Sequence, residues 1–243
     1  MRFRSVNSGA LALALLVLTG PTALTAERAP IYAGLHGELL LDNSRLRVEK
    51  FVIAPGQSTG RHSYPSDQLL VFIKGGVLQS LTTGRATLWR DGRVAWHNAT
   101  ASADAGSRNT GTAALVIVCV SLKPIALASP PATADEGSAD AHLNYPNIPG
   151  EDLLENARVI VQRFTIGPGQ WEGVHAHRPN MLYIHVKGGQ WATRSKSEPE
   201  HPYPQSSPDG EVGWMRTVDI SEGHESGNFG KENIDLIWLT LKG

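Results

Sequence analysis

Two histidines, His175 and His177, stand two residues apart in a segment that reads as a β-strand. Side chains at that spacing share one face, with Cα atoms about 6.5–7 Å apart, so both imidazoles can lean toward one metal ion at roughly 2 Å from each nitrogen. A third ligand has to come from another stretch. His224, after Gly223 and four positions before Asn228, is the candidate. Three neutral imidazoles leave a divalent ion its full charge and several open positions, which suits binding a substrate together with dioxygen or water. The bland alternative is a hydrogen-bonded histidine cluster. Nitrogens converging within about 3–4 Å beside an open cavity favour chemistry; a cluster plugged by Met181 and Trp side chains favours the bland reading.

The elements that must hold these histidines are strands. The chain has 243 residues, 25 of them Gly and 15 Pro, and no run outside the N-terminal segment shows a 3.6-residue apolar period. Arg47 to Ile53 and Ile160 to Ile166 are β-rich runs that end in Pro-Gly turns, and Leu69 to Ile73 and Leu182 to Val186 are short strands stopped by Gly-Gly. With 22 Lys+Arg against 23 Asp+Glu the formal charge is −1, which provides no basic face for nucleic acid. A hydrophobic content of 41% excludes a disordered chain, and the single cysteine, Cys119, excludes an internal disulfide. Arg2 and Arg4 precede the apolar run Ala10 to Leu18, then Gly20-Pro21 and small residues ending at Ala26. This pattern predicts a signal peptide over 1–26 and a periplasmic or secreted protein with no membrane span after cleavage.

An ungapped match at an offset of 113 lays Tyr32 to Gly76 over Tyr145 to Gly189, with about 19 of 45 positions identical where chance gives roughly one in sixteen. Phe51, Pro55, Gly56, Gln57, Gly60 and His62 fall on Phe164, Pro168, Gly169, Gln170, Gly173 and His175. The expectation is two all-β domains, 27–123 and 148–243, joined by a Pro/Ala/Ser-rich linker over 124–147.

These residues resemble the cupin family. Its first motif, G-x5-H-x-H-x3,4-E-x6-G, is matched by Gly169, His175, His177 and Gly188, with Met181 at the Glu position. The end of its second motif, H-x3-N, is matched by His224 and Asn228. The resemblance implies two tandem antiparallel β-barrels (double-stranded β-helix or jelly roll), a bicupin, with His175, His177 and His224 as ligands of a divalent transition metal (Fe, Mn, Zn, Cu or Ni). Some cupins with three His and no Glu use Fe(II) to oxidise thiols, diketones or aromatic acids; others are isomerases, lyases or decarboxylases, or bind sugars. If Met181 points inward as the family's Glu does, Tyr183 and His185 do too, and are the candidate catalytic or orienting groups.

The first half has His62, Tyr64, Gln68 and Ala105 at the corresponding positions, and Leu70 and Phe72 opposite Tyr183 and His185, so its interior is expected to be greasy and the second half's polar. The reverse faces, Leu69, Val71 and Ile73 and then Leu182, Ile184 and Val186, are apolar in both halves and predict packing between the two barrels or between subunits. The resulting expectation is an exported metal-dependent enzyme, an oxygenase or a lyase, acting on a small polar, oxygen-rich molecule. The competing reading is a non-catalytic periplasmic module that binds a small ligand.

Overall fold

The structure, a computed structural model, describes residues 31–124, 142–197 and 205–242. The signal segment 1–26, most of the linker and residues 198–204 lie outside the described residues. The first half contains β1 (Gly37–Asp42), β2 (Leu46–Ile53), β3 (His62–Tyr64), β4 (Gln68–Lys74), β5 (Gly76–Ser80), β6 (Ala86–Trp89), β7 (Val94–His97), β8 (Thr100–Asp104), β9 (Ser107–Asn109) and β10 (Leu115–Leu122). The second contains β11 (Glu151–Glu155), β12 (Val159–Ile166), β13 (Met181–Lys187), β14 (Gly189–Arg194), β15 (Gln205–Ser207), β16 (Val212–Met215), β17 (Glu225–Asn228) and β18 (Ile234–Leu241). A single 3-10 turn, Ile220–Glu222, is the one helical element among the described residues.

Each half is built on a five-stranded antiparallel sheet, and the two are ordered alike: β1-β2-β10-β4-β7 and β11-β12-β18-β13-β16. Smaller sheets, β6-β5-β9 with β3-β8 in the first half and β15-β14-β17 in the second, complete two jelly rolls.

The large sheets are apolar on both faces, and both faces are covered. One face of each meets the other in a shared core: Leu46, Val48, Leu69, Val71, Val118 and Val120 pack with Val159, Val161, Leu182, Ile184, Ile237 and Leu239, all fully buried. Each such side chain contributes about 1.5–3 kcal/mol relative to exposure. Of the two expected packings, the one between halves of a single chain is therefore present. Arg158 ties its edge, donating to Asp67 at 2.7 Å across the two halves.

The opposite faces line two separate interiors. That of the first half is apolar, with Phe51, Leu70, Phe72, Ile117 and Cys119 buried together. The second differs from the polar interior expected of it. Phe164, Ile166, Ile234, Leu236 and Trp238 surround the inward face of β13, so its polar groups are confined to a few positions in an apolar wall.

Candidate metal centre

His175 and His177 are not on a strand of any sheet. Residues 171–180 run extended between β12 and β13, with only isolated bridges from Trp171 to Gly227 and from His177 to Val218. Alternation survives nonetheless: His175 and His177 are buried while Val174 and Ala176 are exposed. Main-chain hydrogen bonds zip this segment onto 218–228. The N–H groups of Glu172, His175 and His177 donate to the carbonyls of Ser226, His224 and Val218, at 2.9, 3.1 and 3.0 Å. His224 thus arrives as the neighbour of His175. It is delivered by the 3-10 turn, which Asp219 caps and Gly223 closes in the left-handed region at φ 65°. Four residues on, Asn228 pins the end of β17, its Nδ2 donating to the carbonyls of Ile166 and Glu232 at 2.8 and 2.7 Å.

The three imidazoles converge. One ligand nitrogen from each lies within 4.8 Å of the others, and the His175 and His177 Nε2 atoms are 2.9 Å apart. Two nitrogens bound to one ion at about 2.0–2.1 Å stand roughly 3.0–3.4 Å apart, so this edge is close to a metal-binding one. His175 Nδ1 donates to the Gly173 carbonyl at 2.8 Å, which leaves Nε2 as a lone pair facing its neighbour. His177 Nδ1 is buried with no partner, so no tautomer of His177 is satisfied by the protein alone. Burial pushes all three imidazoles below the usual histidine range. His175 falls to about 4, and His177, with His175 and His224 beside it, to about 2. All three are neutral near pH 7, the state that a metal requires. The residues fit a divalent transition ion.

Glu172, which the sequence reading missed, is 3% exposed, and its Oε2 lies 3.9 Å from His175 Nε2. Burial pushes its carboxyl up to about 8, so near neutral pH the approach is an acid beside an imidazole, not an ion pair. The Ser226 N–H donates to Oε2 at 3.1 Å, the Tyr145 hydroxyl donates to the same carboxyl, and Trp238 Nε1 donates to the Tyr145 oxygen at 2.7 Å. The missed signal is a glycine. Gly173, at φ 83°, breaks the two-residue alternation and turns Glu172 to the side of His175.

A cavity of about 160 Å³ opens beside the triad, with His177, His224 and Glu172 in its wall. Tyr183 and His185 line it, as the strand alternation predicts, and so do Trp191 and Trp238. Trp238 stands between Tyr183 and the triad: its ring centroid is 5.6 Å from that of Tyr183 and 5.0 Å from that of His177. His185 packs edge-on to Tyr183, and its Nδ1 is buried without a partner. Met181 is not in the wall. It is 1% exposed in the core behind it, and no plug fills the cavity.

The first half has spent the equivalent groups. His62 places Nε2 3.2 Å from the Tyr64 hydroxyl, Tyr64 stacks on His97 at 4.5 Å, and Ala105 is exposed. Among the described residues, only the His175–His177–His224 group clusters three ligands.

No protein-family model matches the sequence, and no curated protein does. Solved structures do match its fold. A putative glyoxylate-induced protein from Pseudomonas aeruginosa aligns over 87% of this chain and 81% of its own, at 14% identity and TM-score 0.57. A cupin 2 conserved barrel domain protein from Leptotrichia buccalis aligns over 86% and 90%, at 11% identity and TM-score 0.50. Salicylate 1,2-dioxygenase from Pseudaminobacter salicylatoxidans aligns over 88% and 78%, at 9% identity and TM-score 0.52. The chain therefore has the all-β jelly-roll fold of cupin-domain proteins, built as two cupin-like antiparallel halves in tandem.

Proposed function

We propose that this chain is an exported, metal-dependent oxygenase acting on a small molecule with a flat apolar body and an oxygen-bearing end. The observation that carries the reading is the convergence of three neutral imidazoles, two of which, His177 and His224, stand in the wall of a largely apolar cavity. His175, His177 and His224 would hold the ion, Fe, Mn, Zn, Cu or Ni. When bound, such an ion supplies a Lewis acid for a substrate oxygen and, if redox-active, a site for dioxygen.

The remaining chemistry belongs to the chain. Glu172 places a buried carboxyl in the cavity wall beside His175, positioned to exchange a proton with a bound substrate. Tyr145 and Trp238 fix that carboxyl by their hydrogen-bond chain. Trp191, Trp238 and Tyr183 flank the substrate body and keep bulk water out, with His185 in the same wall. These aromatic walls favour a single ring over the polar, oxygen-rich molecule expected from the sequence. The dioxygenase that shares the fold is, by its name, an enzyme of salicylate, and its structures include one with gentisate.

The test is metal analysis of protein purified without added ions, beside a His175→Ala/His224→Ala variant, followed by oxygen uptake of the Fe(II)-loaded protein with salicylate and gentisate. Near-stoichiometric metal in the wild type alone, with uptake, supports the reading. Equal trace metal in both overturns it in favour of a non-catalytic binding module. Metal without oxygen uptake on any ring substrate favours a lyase. Export is checked by N-terminal sequencing of the periplasmic protein, expected to begin at Glu27.

A further inference from the structure

The cavity beside the triad is small, and most polar groups of its wall are already engaged. Its volume of about 160 Å³ is close to the roughly 150 Å³ that holds one benzene ring. Trp191 Nε1 donates to the Ser207 hydroxyl at 2.8 Å, Trp238 Nε1 to the Tyr145 oxygen at 2.7 Å, and the Tyr145 and Ser226 hydroxyls to Glu172. The hydroxyl of half-buried Thr193 has no hydrogen-bond partner among the described residues. It is not one of the buried polar atoms left without a partner, so it opens onto space that water or a ligand can reach.

The register fixes where that hydroxyl stands. β14 and β17 pair Thr193 with Ser226, and His224 lies two residues before Ser226 on the same face. Such a diagonal neighbour is about 7–8 Å away, a distance that one ring bridges with one oxygen on the metal and another at the hydroxyl. In the first half the matching residue is Ser80, whose hydroxyl accepts from the Thr83 N–H at 3.2 Å inside its own turn. Charge narrows the ligand further, because no Lys or Arg among the described residues lines the cavity. Arg194 and Arg216, which follow the lining residues Thr193 and Met215, are held by Glu225 and Glu222. A second negative charge on a ligand has no counter-ion here. A ligand that fills the cavity strips water from Thr193 and has to return a hydrogen bond.

We propose that the cavity selects a single ring that carries its charge only at the metal end and a neutral hydroxyl at the other, received by Thr193. This rests on the metal reading of the triad and narrows its substrate class: Thr193 determines specificity and takes no part in holding the ion.

The experiment is calorimetric titration of the Zn(II)-loaded full chain with salicylate, with 2,4- and 2,5-dihydroxybenzoate, which add a hydroxyl at two places, and with 4-hydroxyisophthalate, which adds a carboxylate instead. At least one dihydroxybenzoate is expected to bind about fivefold tighter than salicylate, and the dicarboxylate about tenfold weaker. Thr193→Val keeps the β-branched shape that suits the strand and is expected to bring salicylate and that dihydroxybenzoate level, while Thr193→Ser keeps the gain. Dihydroxybenzoates no tighter than salicylate, a gain that survives Thr193→Val, or a dicarboxylate as tight as salicylate would overturn the inference and leave the metal reading standing. Binding by none of these acids would overturn both.

Discussion

Glu172→Gln separates an electrostatic cost from a structural one. The native carboxyl is pushed up to about 8 by burial, against an ordinary value of 4.5. Between those pH values the unfolded chain has released the proton and the folded chain still holds it. Unfolding therefore releases a proton, and stability falls as pH rises, by about 1.4 kcal/mol per pH unit and about 5 kcal/mol across the window. Glutamine keeps the acceptor for the Ser226 N–H and the Tyr145 hydroxyl but cannot ionise. The assay is urea unfolding of metal-free wild type and variant at pH 6 and pH 8. The buried imidazoles act in the opposite direction in both proteins, costing stability as pH falls below 6.5, and cancel in the difference. The variant's stability relative to wild type should rise by about 2 kcal/mol from pH 6 to pH 8, since the native carboxyl is half ionised at the upper end. A difference that does not change with pH would refute the reasoning and leave Glu172 ionised at neutral pH.

The shared core predicts that Leu69→Ala and Leu182→Ala, one in each half and both fully buried, each cost about 2–5 kcal/mol and lower a single cooperative unfolding transition; two separated transitions would count against one core. Asn228→Ala removes two buried hydrogen bonds and should cost about 1–3 kcal/mol together with metal affinity, whereas Asn109→Ala, whose Nδ2 makes the same pair of bonds to Ile53 and Ala113, should cost as much with no loss of metal. Gly213→Ala places a Cβ 2.3 Å from the Tyr183 ring, so it should displace that ring into the cavity and weaken ligand binding without changing metal content.

Much of this was legible because strand alternation and the repeat offset are sequence properties. They account for the faces of β4 and β13 and, with Met181 at the family's Glu position, for the inward aim of Tyr183 and His185; His224 was legible only through the H-x3-N motif. What escaped depended on local departures from alternation. The histidine segment belongs to no sheet and is held instead by isolated bridges and main-chain hydrogen bonds to 218–228. Glu172 is hidden by the left-handed turn at Gly173, and its partner Tyr145 falls on Tyr32 in the repeat, a match that carries no sign of the Trp238 donor to its hydroxyl oxygen. The apolar second interior was missed because β13 was read alone. Ile166, Ile234 and Leu236 from β12 and β18 add apolar surface to that wall.

The back-to-back sheets also explain how one chain keeps one ligand cluster and closes the other. Residues that hold the halves together alternate with residues that face the interiors, so the two sets occupy the same strands without touching the same atoms. Along β10 and β18, Val118 and Val120 match Ile237 and Leu239 in the shared core, while the residue between them is Cys119 in one half and Trp238 in the other. Trp238 lies over His177 and anchors Tyr145, whereas Cys119 sits beside Gln68 at 3.6 Å with no ring to offer. A change on the inward set alters what a half binds while the apolar contact that stabilises both halves stays as it is. The asymmetry between His177 and Tyr64 can therefore be read as chemistry, because the fold does not require either residue.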